Sequence, residues 1–467
     1  MIRKSIFIFL IILINGITNT SPVNLLLTIP QLFIVLYYLI TGKLEKAAFW
    51  HILFFITSYS YFGDFQGYAE GLTSYNYAKL KFIGPISYSH ISSILLFIIV
   101  NIKYNNKLSC RSVIFYQFYK LIIFFMVTGF GIGIIGLAFS NYYIEGFIQY
   151  GSYIFLIFMH TNILLKLHNT SLKNNFQEII IQLLTFPQII NFILHLFYPE
   201  IIDSTGISLF SILLLPAILV NKTILLNIIG LSFLTLNMIM FGSSGKELIF
   251  IVIIAIITFT LSFSKSIKNN YPIRARFIRL TMAMFLLAIP TLTVLFYDNY
   301  IISSSNIVYK IYQVETLFNF IFTGTGVEKI APSPYVRVTS LINILYEGIQ
   351  NPFKLFFGKG YGGYFQDHFY FFTHLNLSGG GFTDKEILSD HYYTGHDTMV
   401  TVPMFNGLVG LFLLLKLVWK CIKFSKYNFL ILSAVPFLLL VFYFNTLIGI
   451  TGVLFLFLGS VALNNYK

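Results

Sequence analysis

Charge is what this chain has least of. Charged side chains make up 10% of it, where a soluble domain carries about 25%. That deficit excludes a surface built to face water on all sides. Cysteine is almost missing too. Cys110 and Cys421 are the only two, far apart and each beside a short basic loop, so they suggest neither a disulfide framework nor a metal site. The chain has no GxxxxGK[ST] phosphate loop and no HExxH pair. Its apolar segments lack the alternation an outer-membrane barrel needs. No internal repeat is visible.

What it has instead is long apolar runs. Hydrophobic residues are 57% of the chain and mean hydropathy is +0.80. Many runs approach the ~20 residues that cross a hydrocarbon core. Backbone polar groups find no water there, so these runs are expected to be helices. The reading is an all-α polytopic membrane protein with about 14 transmembrane helices. They fall near 4–19, 23–41, 46–62, 82–102, 113–139, 146–167, 177–198, 205–221, 223–242, 247–264, 279–297, 402–422, 428–445 and 447–463. The start, MIRKSIFIFLIILING, has the basic and apolar parts of a signal peptide but no small-residue cleavage site, so a retained first helix is expected.

The net charge of +13 suggests nucleic acid until its distribution is read. Arg3, Lys4, Lys43, Lys46, Lys103, Lys107, Arg111, Lys166, Lys173 and Lys222 share one side. So do Lys265, Lys268, Arg274, Arg276, Arg279, Lys420, Lys423, Lys426 and Lys467. The positive-inside rule makes these cytoplasmic loops and places both termini there. No nucleic-acid partner is implied; membrane lipids are.

Three parts follow. Residues 1–297 hold the N-terminal transmembrane helices, 298–401 form one large extracytoplasmic loop expected to carry catalysis, and 402–467 hold the C-terminal helices. The loop contains nine of the 17 acidic residues. It is too rich in aliphatic and aromatic residues for disorder, and loops this long are usually functional. Within it, Tyr335–Gln350 places Val338, Leu341, Ile342, Leu345 and Ile349 at helical spacing. That predicts an amphipathic helix on or near the membrane surface, ended by Asn351-Pro352.

The chemistry-bearing residues gather here. His396-Asp397 stand just before the helix near 402, with Gly407 and Gly410 after them. A histidine titrates near neutrality and suits proton transfer, although an isolated loop histidine commonly has no role. The two glycines suit close helix packing. Arg337 is the one arginine among the extracytoplasmic loops. Its planar fork binds phosphate, or it snorkels from an amphipathic helix. The box Gly358-Lys359-Gly360-Tyr361-Gly362-Gly363 reads either as an anion-cradling nest or as a tight turn. Lys246 in GSSGKEL meets an anionic substrate or pairs with Glu247. Asp367, His368, His374, Asp384, Asp390, His391, His396 and Asp397 lack the spacing of a strong metal site, and the aromatics between them either stack on sugars or anchor at the interface.

In their order, these residues resemble the O-antigen polymerase and O-antigen ligase superfamily, the Wzy-like membrane glycosyltransferases. HDTMVTVPMFNGLVG matches that family's late H-[N/D]-x9-G-x2-G pattern. Arg337, Pro352 and Gly358-x-Gly360-x-Gly362 match its upstream arginine, proline and glycine turn. Lys246 stands where the family often has arginine, a departure that leaves this role open. The resemblance implies a metal-independent transfer without a cofactor, from an undecaprenyl-diphosphate-linked oligosaccharide donor to a lipid-linked sugar acceptor. His396 is then the candidate base, and Arg337 and Lys246, with Lys359 and Gly360, hold the diphosphate. It implies the bacterial cytoplasmic (inner) membrane, a catalytic loop on the periplasmic or extracellular side, and a chain-length regulator protein as a partner. Repeat-unit polymerase is the leading expectation. Transfer to lipid A core by a ligase is one alternative. The other is a flippase for the same lipid, which would need polar groups at the midplane and repeated halves.

Overall fold

A computed structural model describes residues 2–18, 21–58, 75–83, 86–104, 112–140, 142–167, 170–197, 330, 332–372, 382–393, 395, 397–425, 431, 434–443 and 446–461, with short pieces at 229–237 and 315–323. The spans expected at 205–221, 247–264 and 279–297, most of that at 223–242, and the 297/298 boundary lie outside the described residues.

The described part is mostly helical. α1 (Ile2–Thr18), α2 (Leu25–Ile40), α3 (Leu44–Thr57), α4 (Tyr88–Lys103), α5 (Val113–Phe139), α6 (Ile144–Lys166) and α7 (Thr170–Phe197) follow in order. A small antiparallel pair, Lys81–Ile83 with Ile86–Ser87, precedes α4. After the described residues resume come α8 (Pro332–Gln350), α9 (Pro352–Phe357), α10 (Asp384–Ser389), α11 (Thr398–Ser425) and α12 (Thr446–Val461). Where a span was expected at 428–445, the described residues form a short turn, Ala434–Pro436, running into a π-helical turn, Phe437–Val441.

Among the described residues, four helices are long and apolar enough to cross a membrane: Pro22–Ile40, Val113–Phe139, Ile144–Lys166 and Thr398–Ser425. Two shorter apolar helices are Lys4–Thr18 and Tyr88–Lys103. The distribution of side chains on α2 fits hydrocarbon. Leu26, Ile29, Phe33, Tyr37 and Ile40 are exposed, Ile40 by 84%, at helical spacing. The buried side instead holds Thr28 and Gln31 beside Val35 and Leu39. In water so continuous an apolar stripe would be a liability. In lipid it costs nothing, and close packing and polar contacts hold the helices together.

α11 is broken at its middle. Gly407 has φ 66 and ψ −170, well outside helix. The break frees the carbonyls of Met404 and Phe405, which an intact helix would pair with the N–H groups four residues on. The glycine box supplies donors in their place: Lys359 N–H donates to Met404 O (2.7 Å) and Gly360 N–H to Phe405 O (3.1 Å). Irregular backbone next to membrane helices is tolerated only when protein partners satisfy it in this way.

α8 begins earlier than expected, at Pro332 rather than Tyr335. Val336, Thr339, Ser340, Asn343 and Ile344 are buried, whereas Ile349 is 72% exposed. Of the apolar stripe read from the sequence, Val338, Leu341, Ile342 and Leu345 are half-buried and only Ile349 is exposed. The inner stripe mixes Val336 and Ile344 with the small polar Thr339, Ser340 and Asn343, and it meets α9, α11 and the carboxylates that follow. Asn351 ends α8 as expected but also starts α9: its side chain accepts from Lys354 N–H, with Pro352 in the first turn.

Candidate functional site

Three separate stretches of the motif fold into one unit. The first contact is ionic. Arg337 Nε lies 2.9 Å from Asp397 Oδ2, with the arginine side chain 27% exposed and the aspartate nearly buried. Asp397 also starts α11. Its Oδ1 accepts from Val400 N–H at 3.1 Å, and its carbonyl accepts from Thr401 N–H and Oγ1–H. An aspartate is a preferred cap because it satisfies a free N–H and faces the positive helix end.

The second contact is the glycine box. Tyr361 N–H donates to Gly129 O on α5 (2.8 Å), and its ring lies against Gly129, where a Cβ would come within 2.2 Å of it. A Cβ on Gly360 would strike Gly133 N at 2.3 Å, and one on Gly358 would strike Phe405 C at 2.4 Å. Gly407 likewise has room for no side chain against Phe356 O. The box is thus a wedge between α5 and the break in α11. Tyr361 OH donates to Phe125 O (3.1 Å) and neighbours Tyr443 OH; Tyr443 OH donates to Asn406 Oδ1 (2.7 Å). Asn406 Nδ2 in turn donates to Thr128 Oγ1 (2.8 Å).

This placement bears on two expected diphosphate ligands. The Gly360 N–H is committed to a carbonyl, so of the two readings of the box the structure displays the turn. Lys359 Nζ is buried against Glu347 Oε2 and Tyr364 O. Burial pushes the Lys359 ammonium below its ordinary pKa, with the Glu347 charge opposing.

Three acidic residues of the segment, Glu347, Asp367 and Glu386, are staples. Glu347 Oε1 accepts from Gln366 N–H and from His368 Nε2, both 2.8 Å. Asp367 accepts from Asn343 Nδ2 (3.1 Å) and Phe372 N–H (2.7 Å). Glu386, fully buried, takes Thr383 N–H and Tyr393 N–H at 2.9 Å each, closing a capping box on α10. Phe365, Phe372, Phe382 and Tyr392 form a small aromatic core around an isolated bridge between Phe365 and Tyr392. His391 stacks on Tyr364 at 3.9 Å and meets Tyr143 OH at 3.0 Å. Among the described residues no three metal-ligating side chains converge.

His396, His374 and Lys246 lie outside the described residues. The neighbours of His396 are both held: Gly395 N–H donates to Tyr150 OH at 2.8 Å, and Asp397 is fixed as above. Gly410, in the second half of α11, sits against Asn406 and Phe125. Sequence reading missed the receptor for the wedge, Gly129 and Gly133 in GFGIGIIG. A small-xxx-small pair on a membrane helix is the signal that exposes it.

Fold and site together define a helical protein with several membrane-length helices and a polar unit braced on two of them. Compared with known proteins, the chain matches no family model, and no curated protein or solved structure matches it.

Proposed function

We propose that this protein is a membrane glycosyltransferase of the repeat-unit polymerase kind, working on undecaprenyl-diphosphate-linked sugars at the outer face of the bacterial cytoplasmic membrane. The observation that carries the reading is the Arg337–Asp397 pair. It ties the arginine of the upstream motif to the residue directly after His396. A diphosphate leaving group needs fixed positive charge where negative charge develops, and the attacking sugar hydroxyl needs a proton acceptor. A partly exposed arginine whose carboxylate partner directly follows a histidine suits both. In this reading Arg337 is the phosphate ligand, Lys246 assists, and His396 is the base. Lys359 and Gly360 brace the site from behind.

The test is reconstitution. Purified protein with a lipid-linked repeat unit is expected to give a ladder of longer glycans on a gel, and His396→Ala to abolish it, since a positioned base contributes typically 10²–10⁴-fold. Transfer to lipid A core without extension would make it a ligase. Undiminished extension by His396→Ala would remove the histidine from the mechanism.

A further inference from the structure

Away from that unit, two histidines face each other inside the helical bundle. His51 on α3 and His160 on α6 are both fully buried, and their Nε2 atoms are 3.1 Å apart across 109 residues. Ionisable side chains placed among membrane helices are costly and mark function by default.

The protons can be assigned by elimination. His160 Nδ1 lies 2.8 Å from Leu156 O, and a carbonyl only accepts, so His160 is protonated on Nδ1 and its Nε2 is an acceptor. Ser93 gives its hydroxyl proton to Ser89 O at 2.8 Å, so its oxygen accepts from His51 Nε2 at 2.9 Å. His51 therefore carries its proton on Nε2 and shares it between Ser93 and His160. Its Nδ1 is left to accept from Tyr77 OH at 2.7 Å. Every polar atom is satisfied with both rings neutral and in opposite tautomers.

The geometry is that of a shared proton. The ring planes are 17° apart and the centroids 5.2 Å apart, nearly the N···N gap plus both ring radii. The rings thus meet edge to edge, nitrogen pointing at nitrogen. An ion bridging two collinear imidazoles would need about 4 Å between them, at about 2.0–2.1 Å per bond.

We propose that His51 and His160 form a single proton-binding site with Tyr77 as its gate. A proton entering at His51 Nδ1 pushes the Nε2 proton across to His160, which becomes the imidazolium. Ser93 loses the bond it accepted from His51 Nε2 and keeps its bond to Ser89 O. Tyr77 Oη keeps its own proton, accepts from Nδ1–H, and redirects its O–H to the oxygen of Ser92, which already interacts with it and whose own hydroxyl proton is given to Tyr88 O. A second proton has no place, because two N–H groups would then point at each other. Coupled groups of this kind titrate as a pair. Among the described residues, the other titratable group bearing on the pair is His90, in the first turn of α4. Glu45 and Lys46 of α3 and Lys166 of α6 lie more than a turn away along their helices. α12, packed on both, carries no titratable side chain.

Nitrogen-15 NMR of the full chain in lipid nanodiscs tests this. Trp50-His51 and Met159-His160 are the sole Trp-His and Met-His steps in the sequence, so carbonyl-13C tryptophan or methionine with 15N-histidine assigns each ring without a mutation. At neutral pH we expect the Nε2–H form for His51 and the Nδ1–H form for His160. On acidification we expect one proton for the pair, and a shifted midpoint in Tyr77→Phe. Identical tautomers, uptake of two protons, no uptake before unfolding, or a midpoint indifferent to Tyr77→Phe would each overturn the proposal.

Discussion

One carboxylate does two jobs. Asp397 Oδ2 holds Arg337 Nε at 2.9 Å while Oδ1 caps the first turn of α11. The two jobs can be separated. Asp397→Asn keeps a capping oxygen and removes the charge, and is expected to cost less than about 1 kcal/mol, as partly exposed ion pairs do. Asp397→Ala loses the cap as well, about 1 kcal/mol more. Thermal unfolding in detergent should rank them wild type, Asn, Ala. Equal melting of Asn and Ala variants would show that the cap contributes nothing.

Arg337 offers a second separation. Lysine keeps the charge but not the planar fork. Arg337→Lys is therefore expected to lose most glycan extension while melting close to the wild type. Lys246→Arg is expected to be tolerated or improved. Rates at saturating lipid-linked donor decide; full activity in Arg337→Ala would leave Arg337 an interfacial anchor.

Two glycines with positive φ make an internal comparison. Gly407 (φ 66) has Phe356 O where a Cβ would go, at 2.3 Å, whereas Gly42 (φ 69) has nothing within 4 Å. Alanine at either is strained by the positive φ, at a cost of about 1–3 kcal/mol. At Gly407 it must also push backbone apart, so Gly407→Ala is expected to melt well below Gly42→Ala. Equal melting temperatures would refute the wedge.

Lys359 predicts a pH dependence. Its folded pKa lies below the ordinary 10.5, so between those two values the unfolded chain binds more protons and stability rises with pH. Lys359→Met removes this slope. The melting temperature of the wild type relative to Lys359→Met is expected to climb from neutral pH toward 10.5. A flat or falling difference would contradict the buried ammonium.

The sidedness of the loop is open to labelling. Lys385 is exposed at α10, the native Cys421 is buried, and the other native cysteine is removed as Cys110→Ser. Lys385→Cys is expected to react with an impermeant thiol reagent added outside intact cells. Reaction only after the inner face is opened would reverse the orientation.

How much of this the residues disclosed by themselves differs from place to place. The helices at 113–139 and 144–166 were legible almost to the residue, because hydrocarbon forces each apolar run to satisfy its own backbone. The order of Arg337, the glycine box and His396-Asp397 was legible as well. Their partners were not. Arg337 finds Asp397, Tyr361 finds Gly129 and His51 finds His160 only when helices distant in sequence are packed, and local spacing carries no record of that. Which side of α8 packs inward was not legible for the same reason: Val338 and Leu341 mark an apolar stripe, but Val336, Thr339, Ser340, Asn343 and Ile344 are the more deeply buried. Whether a glycine is a ligand cradle or a packing surface is likewise undecided by its spacing. At Gly360 the answer came from what stands where a Cβ would be, and that is a property of the tertiary structure alone.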